Sequence, residues 1–200
     1  MAKYYGLTFL PWIVLAVVSG FNPQAGAAAG LAVALVLLAA DLRRGRRWDG
    51  LLLEISTAAF LAGFTGLVFA QPHAAIVHYG ASLSIGWLGL TAWGTIAAGM
   101  PFTEGIARRQ VSEEIAATAL FHRIGVVLTS AWATAFTVSA VCLGVVQHFA
   151  PHQTALLIGV KVACFVVPVW FTRWYPEVAR KRYFAEHGID EAHGAEHSAA

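Results

Sequence analysis

The sequence predicts an all-α, polytopic membrane protein with six transmembrane helices arranged as three hairpins over residues 1–176, both termini cytoplasmic, and a cytoplasmic, partly disordered tail over residues 177–200. Three observations predict it. Of the 200 residues 58% are hydrophobic and 12% charged, about half the charged fraction of a soluble domain and too little polar surface to cover a globule. A hydrocarbon core about 30 Å thick needs roughly 20 apolar residues per helical span, so the chain holds about six spans and no soluble domain besides. The connections between the apolar runs alternate between basic and uncharged, the pattern that the positive-inside rule produces.

The first run, Leu7 to Gly20, follows Lys3 and precedes "AGAAAG". It resembles a signal peptide with its cleavage region. We read it instead as a retained span that turns at "FNPQ", with Pro11 near its start, where a helix tolerates proline. The second run is Ala25 to Ala40, the third Leu51 to Ala70 and the fourth Ala81 to Met100, closed by Pro101. The fifth, Ile115 to Val146, is expected to start in the cytoplasm, because Ser112 followed by Glu113 and Glu114 gives a capping hydroxyl and acids in the first turn. The sixth is Thr154 to Trp174. "FTEGIARRQV" between the fourth and fifth reads as an interfacial segment lying against the headgroups. Gly26 with Gly30, Ser82 with Gly86, and Gly94 with Ala98 are spaced to let helices approach closely in lipid. Cys142 and Cys164, each inside an apolar run, read as small core residues rather than a metal or redox pair.

"DLRRGRRWDG", "PFTEGIARRQVSEE" through Arg123, and "RWYPEVARKRYF" hold every Lys and Arg except Lys3 and Lys161, while "FNPQ", "QPHAAIVHYG" and "QHFAPHQ" hold no charged residue. Basic residues resist translocation, so six spans with both ends inside satisfy every loop at once. Trp48, Trp170, Trp174 and Tyr175 beside the basic segments suit the headgroup region. The inner cations Arg43, Arg44, Arg46, Arg47, Arg108, Arg109, Arg180, Lys181 and Arg182 are candidates for contact with anionic lipid or a partner.

"TEGIARRQVSEE" and "YPEVARKRYFAE", after the second and third hairpins, share an acid before an Ala and a basic pair, as parallel repeats or independently selected interface helices do. "PFTEGIARR" resembles a P-F-T-x-x-x-A-R cytoplasmic segment of small multi-pass bacterial inner-membrane proteins of unassigned function, loosely similar to intracellular septation protein A-like proteins. The resemblance implies a bacterial inner-membrane location and no activity.

Lys161 and Glu54 are the charges left inside the spans. Lys161 lies about seven residues, roughly 10 Å, from the outer end of its helix, and Glu54 about one turn from the inner end of its own. A lysine at a helix centre costs about 2.5 to 3.5 kcal/mol and is tolerated facing protein, water or a partner, or by snorkelling along apolar surface to the headgroups. Both are therefore transport-path candidates, with an anion site as one use of Lys161. Their depths differ by roughly 10 Å in a core of about 30 Å, so a direct salt bridge is not expected. A cavity joining them would form a route lined by Thr57, Thr65, Thr91, Thr95, Ser130, Thr134, Thr137 and Ser139, unless these hydroxyls bond to their own helix carbonyls.

His73, His78, His148 and His152 gather at the outer face, where neutral imidazoles could hold a metal ion or haem b, or serve ordinary interfacial roles. The tail histidines His187, His193 and His197 lie among acids and small residues, a composition expected of disorder. A net charge of +2 gives no footprint for nucleic acid. No P-loop, G-x-S-x-G or H-E-x-x-H is present, so an enzyme is not expected. The functions that fit are a small transporter or channel-like protein for an ion or small solute, a structural or interaction protein binding anionic lipid or a protein partner, or a metal or haem binder. Membrane lipids, and a second copy of the chain in a homo-oligomer, are the partners that fit.

Overall fold

The computed structural model describes residues 2–46 and 51–187, with side chains at all of these except 2–6, 109 and 187. Arg47, Trp48, His193 and His197 lie outside the described residues, as do the side chains of Arg109 and His187. All regular structure among the described residues is helical: α1 (Ala2–Val18), α2 (Pro23–Arg43), α3 (Leu52–Ala70), α4 (Ala75–His78), α5 (Gly80–Ala97), α6 (Phe102–Ala107), α7 (Glu113–Ala116), α8 (Ala119–Phe149) and α9 (Thr154–His187), with a short 3-10 turn, Arg108–Gln110, after α6. Four of them, α2, α3, α8 and α9, are long and apolar enough to cross a membrane, which fits a multi-pass integral membrane protein. The expected first span is shorter, its described apolar part being Leu7–Val18. The expected fourth, α5, is diluted by four glycines, two serines and two threonines.

Local chemistry sets the helix ends. Asn22 caps α2 by accepting from the Ala25 amide at 3.0 Å, with Pro23 in the first turn, where its missing N–H costs nothing. Ser112 does cap a helix, but only the one turn of α7. The long fifth helix starts later than the sequence led us to expect. Thr118 donates to the Ile115 carbonyl at 2.8 Å and accepts from the Phe121 amide at 3.2 Å, so one hydroxyl finishes α7 and caps α8. At the other end of the chain α9 runs on through Pro168 and Pro176, without a break between residues 176 and 177.

Packing divides the bundle into two groups. α2 packs between α1 and α3, while α8 packs against α5, α6 and α9. The first and third expected hairpins are closely packed pairs; in the second, α3 and α5 touch far less than α5 touches α8. Small residues explain the closest pairs. A Cβ on Gly26 would lie 2.5 Å from the Ser19 amide nitrogen, and one on Gly30 would lie 3.2 Å from both the Leu15 Cβ and the Pro11 carbonyl oxygen, so α1 and α2 touch through backbone. Ser82 donates to the Ala140 carbonyl at 2.7 Å, joining α5 to α8 beside Gly86. Gly94 faces open space.

The buried residues of α8, Gly125, Leu128, Thr129, Trp132, Ala133, Phe136, Ser139 and Leu143, recur every three or four positions and form one apolar face. Phe9 of α1 stacks on Trp132 at 5.1 Å between ring centroids and meets Phe165 of α9 edge-on at 5.4 Å. This aromatic cluster ties the two groups together. Cys164 is buried, as expected, whereas Cys142 is exposed on the bundle's side.

Candidate functional site

A groove of about 740 Å³ separates α1 from α9, within the range of about 300–1,000 Å³ common for small-molecule pockets. Ile13 and Val17 form one lip and Val162 and Val166 the other, all exposed. Its floor is Trp132 of α8 with Ala81, Ser84 and Ile85 of α5 and Phe64 of α3. The lining is predominantly apolar because the facing stripes of α1 and α9 repeat Val, Ile, Phe and Ala at helical spacing. His78 marks the end of the groove near the uncharged turns, and Thr172 and Arg173 the end near the basic segments. From Lys161 to Arg173 is about 18 Å along the helix at about 1.5 Å per residue.

Lys161 lines this groove. It is half-buried in the groove wall, and among the described residues no hydrogen-bond or ion-pair partner reaches it. Among the described residues no acid lines the groove.

Glu54 lies in a second, smaller cavity of about 200 Å³ at the basic end, with Asp41, Arg44, Arg46, Thr8 and Thr57. Here Asp41, buried in the last turn of α2, accepts from Arg46 at 3.2 Å and from Arg44 at 3.5 Å. Gly45, at φ +69°, makes the left-handed turn that folds Arg46 back toward the helix it follows.

One side chain stands between the two cavities. Trp12 lines the groove, and its indole N–H donates to the Thr57 hydroxyl, which lines the smaller cavity, at 3.1 Å. Both residues are buried, at 5% and 2% exposure. Phe60 stacks on Trp12 at 5.3 Å and holds the ring in place. Of the hydroxyls proposed as a polar lining, Thr57 alone lines either cavity. Thr95, Ser130 and Thr137 bond to carbonyls of their own helices, Thr65 reaches the Ala27 carbonyl of α2, and Thr91 shares a hydrogen bond with Ser56.

The outer histidines are brought partly together. His78 bonds the Gln147 carbonyl at 3.3 Å, Tyr79 pairs with His148 at 3.1 Å, and Gln147 donates to the His78 carbonyl at 2.7 Å, so α4 and α5 are laced to the end of α8. His73 and His152 are exposed in the turns. Among the described residues no three His, Cys, Asp or Glu side chains come close enough to hold a metal ion.

"PFTEGIARR" is not spread on the surface. Phe102, Thr103, Glu104 and Ile106 are buried. The expected interfacial segment instead folds into the bundle, because its polar groups find partners on α8. Thr103 donates to the Gly125 carbonyl at 2.9 Å and meets Thr129 at 2.8 Å. Glu104 accepts from Arg108 at 2.7 Å through one carboxylate oxygen and meets His122 at 2.8 Å through the other. Sequence reasoning missed Asp41, Glu104, His122 and Trp12. The i, i+4 spacing of Glu104 and Arg108 was a usable signal; the distant partners Trp12–Thr57 and Glu104–His122 left none. Arg43, Arg180, Lys181 and Arg182 are exposed at the basic end.

The chain matches no family model, no curated protein and no solved structure with which it was compared.

Proposed function

We propose that the protein is a small transporter of the bacterial inner membrane, in which α1 and α5 complete a six-span bundle with both termini cytoplasmic and the path for an anionic solute runs past Trp12. The observation that carries this reading is the pair of cavities flanking α1, one holding Lys161 and the other Glu54, with the Trp12–Thr57 contact between them. A closed contact between two cavities is what an occluded carrier would present, and charged groups inside the spans would set its selectivity. In this reading Lys161 receives the anion, the arginines beside Asp41 offer it the next cationic surface, and no chemical step occurs.

Purified protein in liposomes tests it. Uptake is measured for a series of anions running from chloride and phosphate to carboxylates of increasing chain length that do not cross protein-free liposomes. At least one is expected to move in a protein-dependent way, and Lys161→Met is expected to abolish that movement while the protein still elutes as a folded species. Absence of protein-dependent uptake across the whole series refutes the proposal.

A second reading, attachment to anionic lipid, is favoured by one specific observation. Trp170 and Trp174 stack in parallel at 5.9 Å on an exposed face of α9, just before Arg180, Lys181 and Arg182. Aromatic rings at the headgroup level followed by clustered cations are the combination that holds a helix to an anionic surface, at about 1 kcal/mol per basic residue.

A further inference from the structure

The geometry points to a single-chain amphiphile with an oxyanion head, admitted sideways from the bilayer between α1 and α9, as the ligand of the groove. This deepens the transport proposal by naming its substrate class, and rests on that proposal only for what happens to the ligand after binding.

Three observations combine. The groove opens where the exposed Ile13, Val17, Val162 and Val166 form its lips. In a membrane those residues face acyl chains, so the opening leads to lipid rather than to water. The wall between them is predominantly apolar and runs about 18 Å from Lys161 to Arg173, a long narrow shape that suits one flexible chain. The lining is charged at Lys161 and Arg173 with no acid among the described residues opposing them, so the electrostatics select a negative head and reject a positive one.

The placement of Lys161 fixes the orientation. It lies about 10 Å below the start of α9, and a lysine stem can carry its ammonium several ångströms toward the headgroups. The head is therefore held near the level of the surrounding lipid headgroups, with the chain running down the groove toward Trp132. A carboxylate and a phosphate monoester share this chemistry. Each offers oxygens to an ammonium while a single chain fills the apolar wall. A two-chain lipid leaves its second chain outside.

The test uses the full-length protein in nanodiscs of zwitterionic lipid and four probes: a fluorescent long-chain fatty acid, the alkyl phosphate of equal length, the corresponding primary alcohol and the corresponding trimethylammonium. Saturable one-to-one binding of at least one of the two anions is expected, tighter than that of the alcohol and far tighter than that of the cation. Lys161→Met is expected to weaken anion binding by about tenfold to a hundredfold, the effect of losing one charge-assisted hydrogen bond, and to leave the alcohol unchanged. Lys161→Arg should restore most of it. Ala16→Trp, which fills the groove from α1 with Lys161 intact, should remove binding of the anions and the alcohol alike.

Which of the two anionic heads binds identifies the source of the ligand, and either supports the inference. It is overturned if neither anion saturates, if the alcohol binds as tightly as the anions in the unaltered protein, if the Met variant binds the anions as tightly as the unaltered protein, or if native mass spectrometry shows a dimer whose groove takes up no probe because a second copy covers it. Binding without flux refutes the transport proposal and leaves the amphiphile site standing; flux of short anions without amphiphile binding does the reverse.

Discussion

Truncating Trp12 tests whether the two cavities are two halves of one path. The indole N–H to Thr57 bond at 3.1 Å is buried, but the Thr57 hydroxyl can still donate to its own helix, so only one interaction is lost in Trp12→Phe. Hydrogen bonds between membrane helices average about 0.6 kcal/mol and reach about 1.7, which bounds the coupling. A double-mutant cycle of Trp12→Phe, Thr57→Val and the pair, read by unfolding in mixed micelles, should give a coupling of about 1 kcal/mol. The functional arm uses Trp12→Ala, which removes the ring from the partition. With Cys142 and Cys164 replaced by serine and a cysteine placed at Leu37 in the smaller cavity, a sulfonated thiol reagent added at the histidine face should label the Trp12→Ala protein and not the one retaining Trp12. A coupling below about 0.3 kcal/mol, the usual error of such cycles, removes the Trp12–Thr57 contact from the account. Equal labelling with and without Trp12 shows that this ring divides nothing.

Helix contact in lipid gives a matched pair of substitutions. Gly26→Ala places a Cβ 2.5 Å from the Ser19 nitrogen and should cost about 1–3 kcal/mol by forcing α1 from α2, whereas Gly94→Ala meets open space and should be neutral or stabilising by up to about 1 kcal/mol. Indistinguishable unfolding curves for the two would refute the α1–α2 packing. Glu104→Gln keeps shape and removes the charge facing Arg108 and His122. Since both partners are about half exposed, the expected loss is about 1 kcal/mol rather than the full value of a charged hydrogen bond, and an unchanged melting temperature would dismiss the cluster as a structural latch. Cysteines introduced singly at Arg43 and Arg182 should label from the same membrane face, and one at His73 from the opposite face. Any other distribution breaks the positive-inside topology.

What was legible in the sequence follows from the range of each force. Long apolar runs identified α2, α3, α8 and α9 because a transmembrane span declares itself within one stretch of chain. The close approach at Gly26 and Gly30 was legible for a related reason: a pair four residues apart marks one face of its own helix. The start of α8 was misplaced because Ser112 and Thr118 both offer sound caps, and only the packing of α6 and α7 decides which one begins the long helix. Lys161 stood out as an isolated charge, but the cavity it faces is built from α1, α5, α8 and α9, an adjacency that no local pattern encodes. The burial of "PFTEGIARR" was hidden likewise. Its amphipathic composition suits a headgroup surface as well as a niche on α8, and the Thr103–Thr129 and Glu104–His122 contacts that decide between them span 26 and 18 residues.

Partners for the polar groups inside the bundle separate the candidate site from the scaffold. Four indoles each donate to a Ser or Thr hydroxyl of another helix: Trp12 to Thr57, Trp87 to Ser56, Trp93 to Thr137 and Trp132 to Thr172. These bonds link α1 to α3, α3 to α5, α5 to α8 and α8 to α9. Apolar burial cannot choose between neighbours in lipid, where the tails are as apolar as the side chains, so directional bonds of this kind help to fix the helix order. The buried acids Asp41 and Glu104 are likewise each held by two side chains. Lys161 departs from this pattern. It sits within a membrane-spanning helix without a partner among the described residues, although a lysine there costs about 2.5 to 3.5 kcal/mol unless compensated. Snorkelling offsets part of that cost, but it would be served at least as well by an exposed position nearer the outer end of α9, such as that of Ile158, and gives no reason for the ammonium to line a groove without an acid among the described residues. An anion brought by a ligand supplies both the missing compensation and the reason for the place.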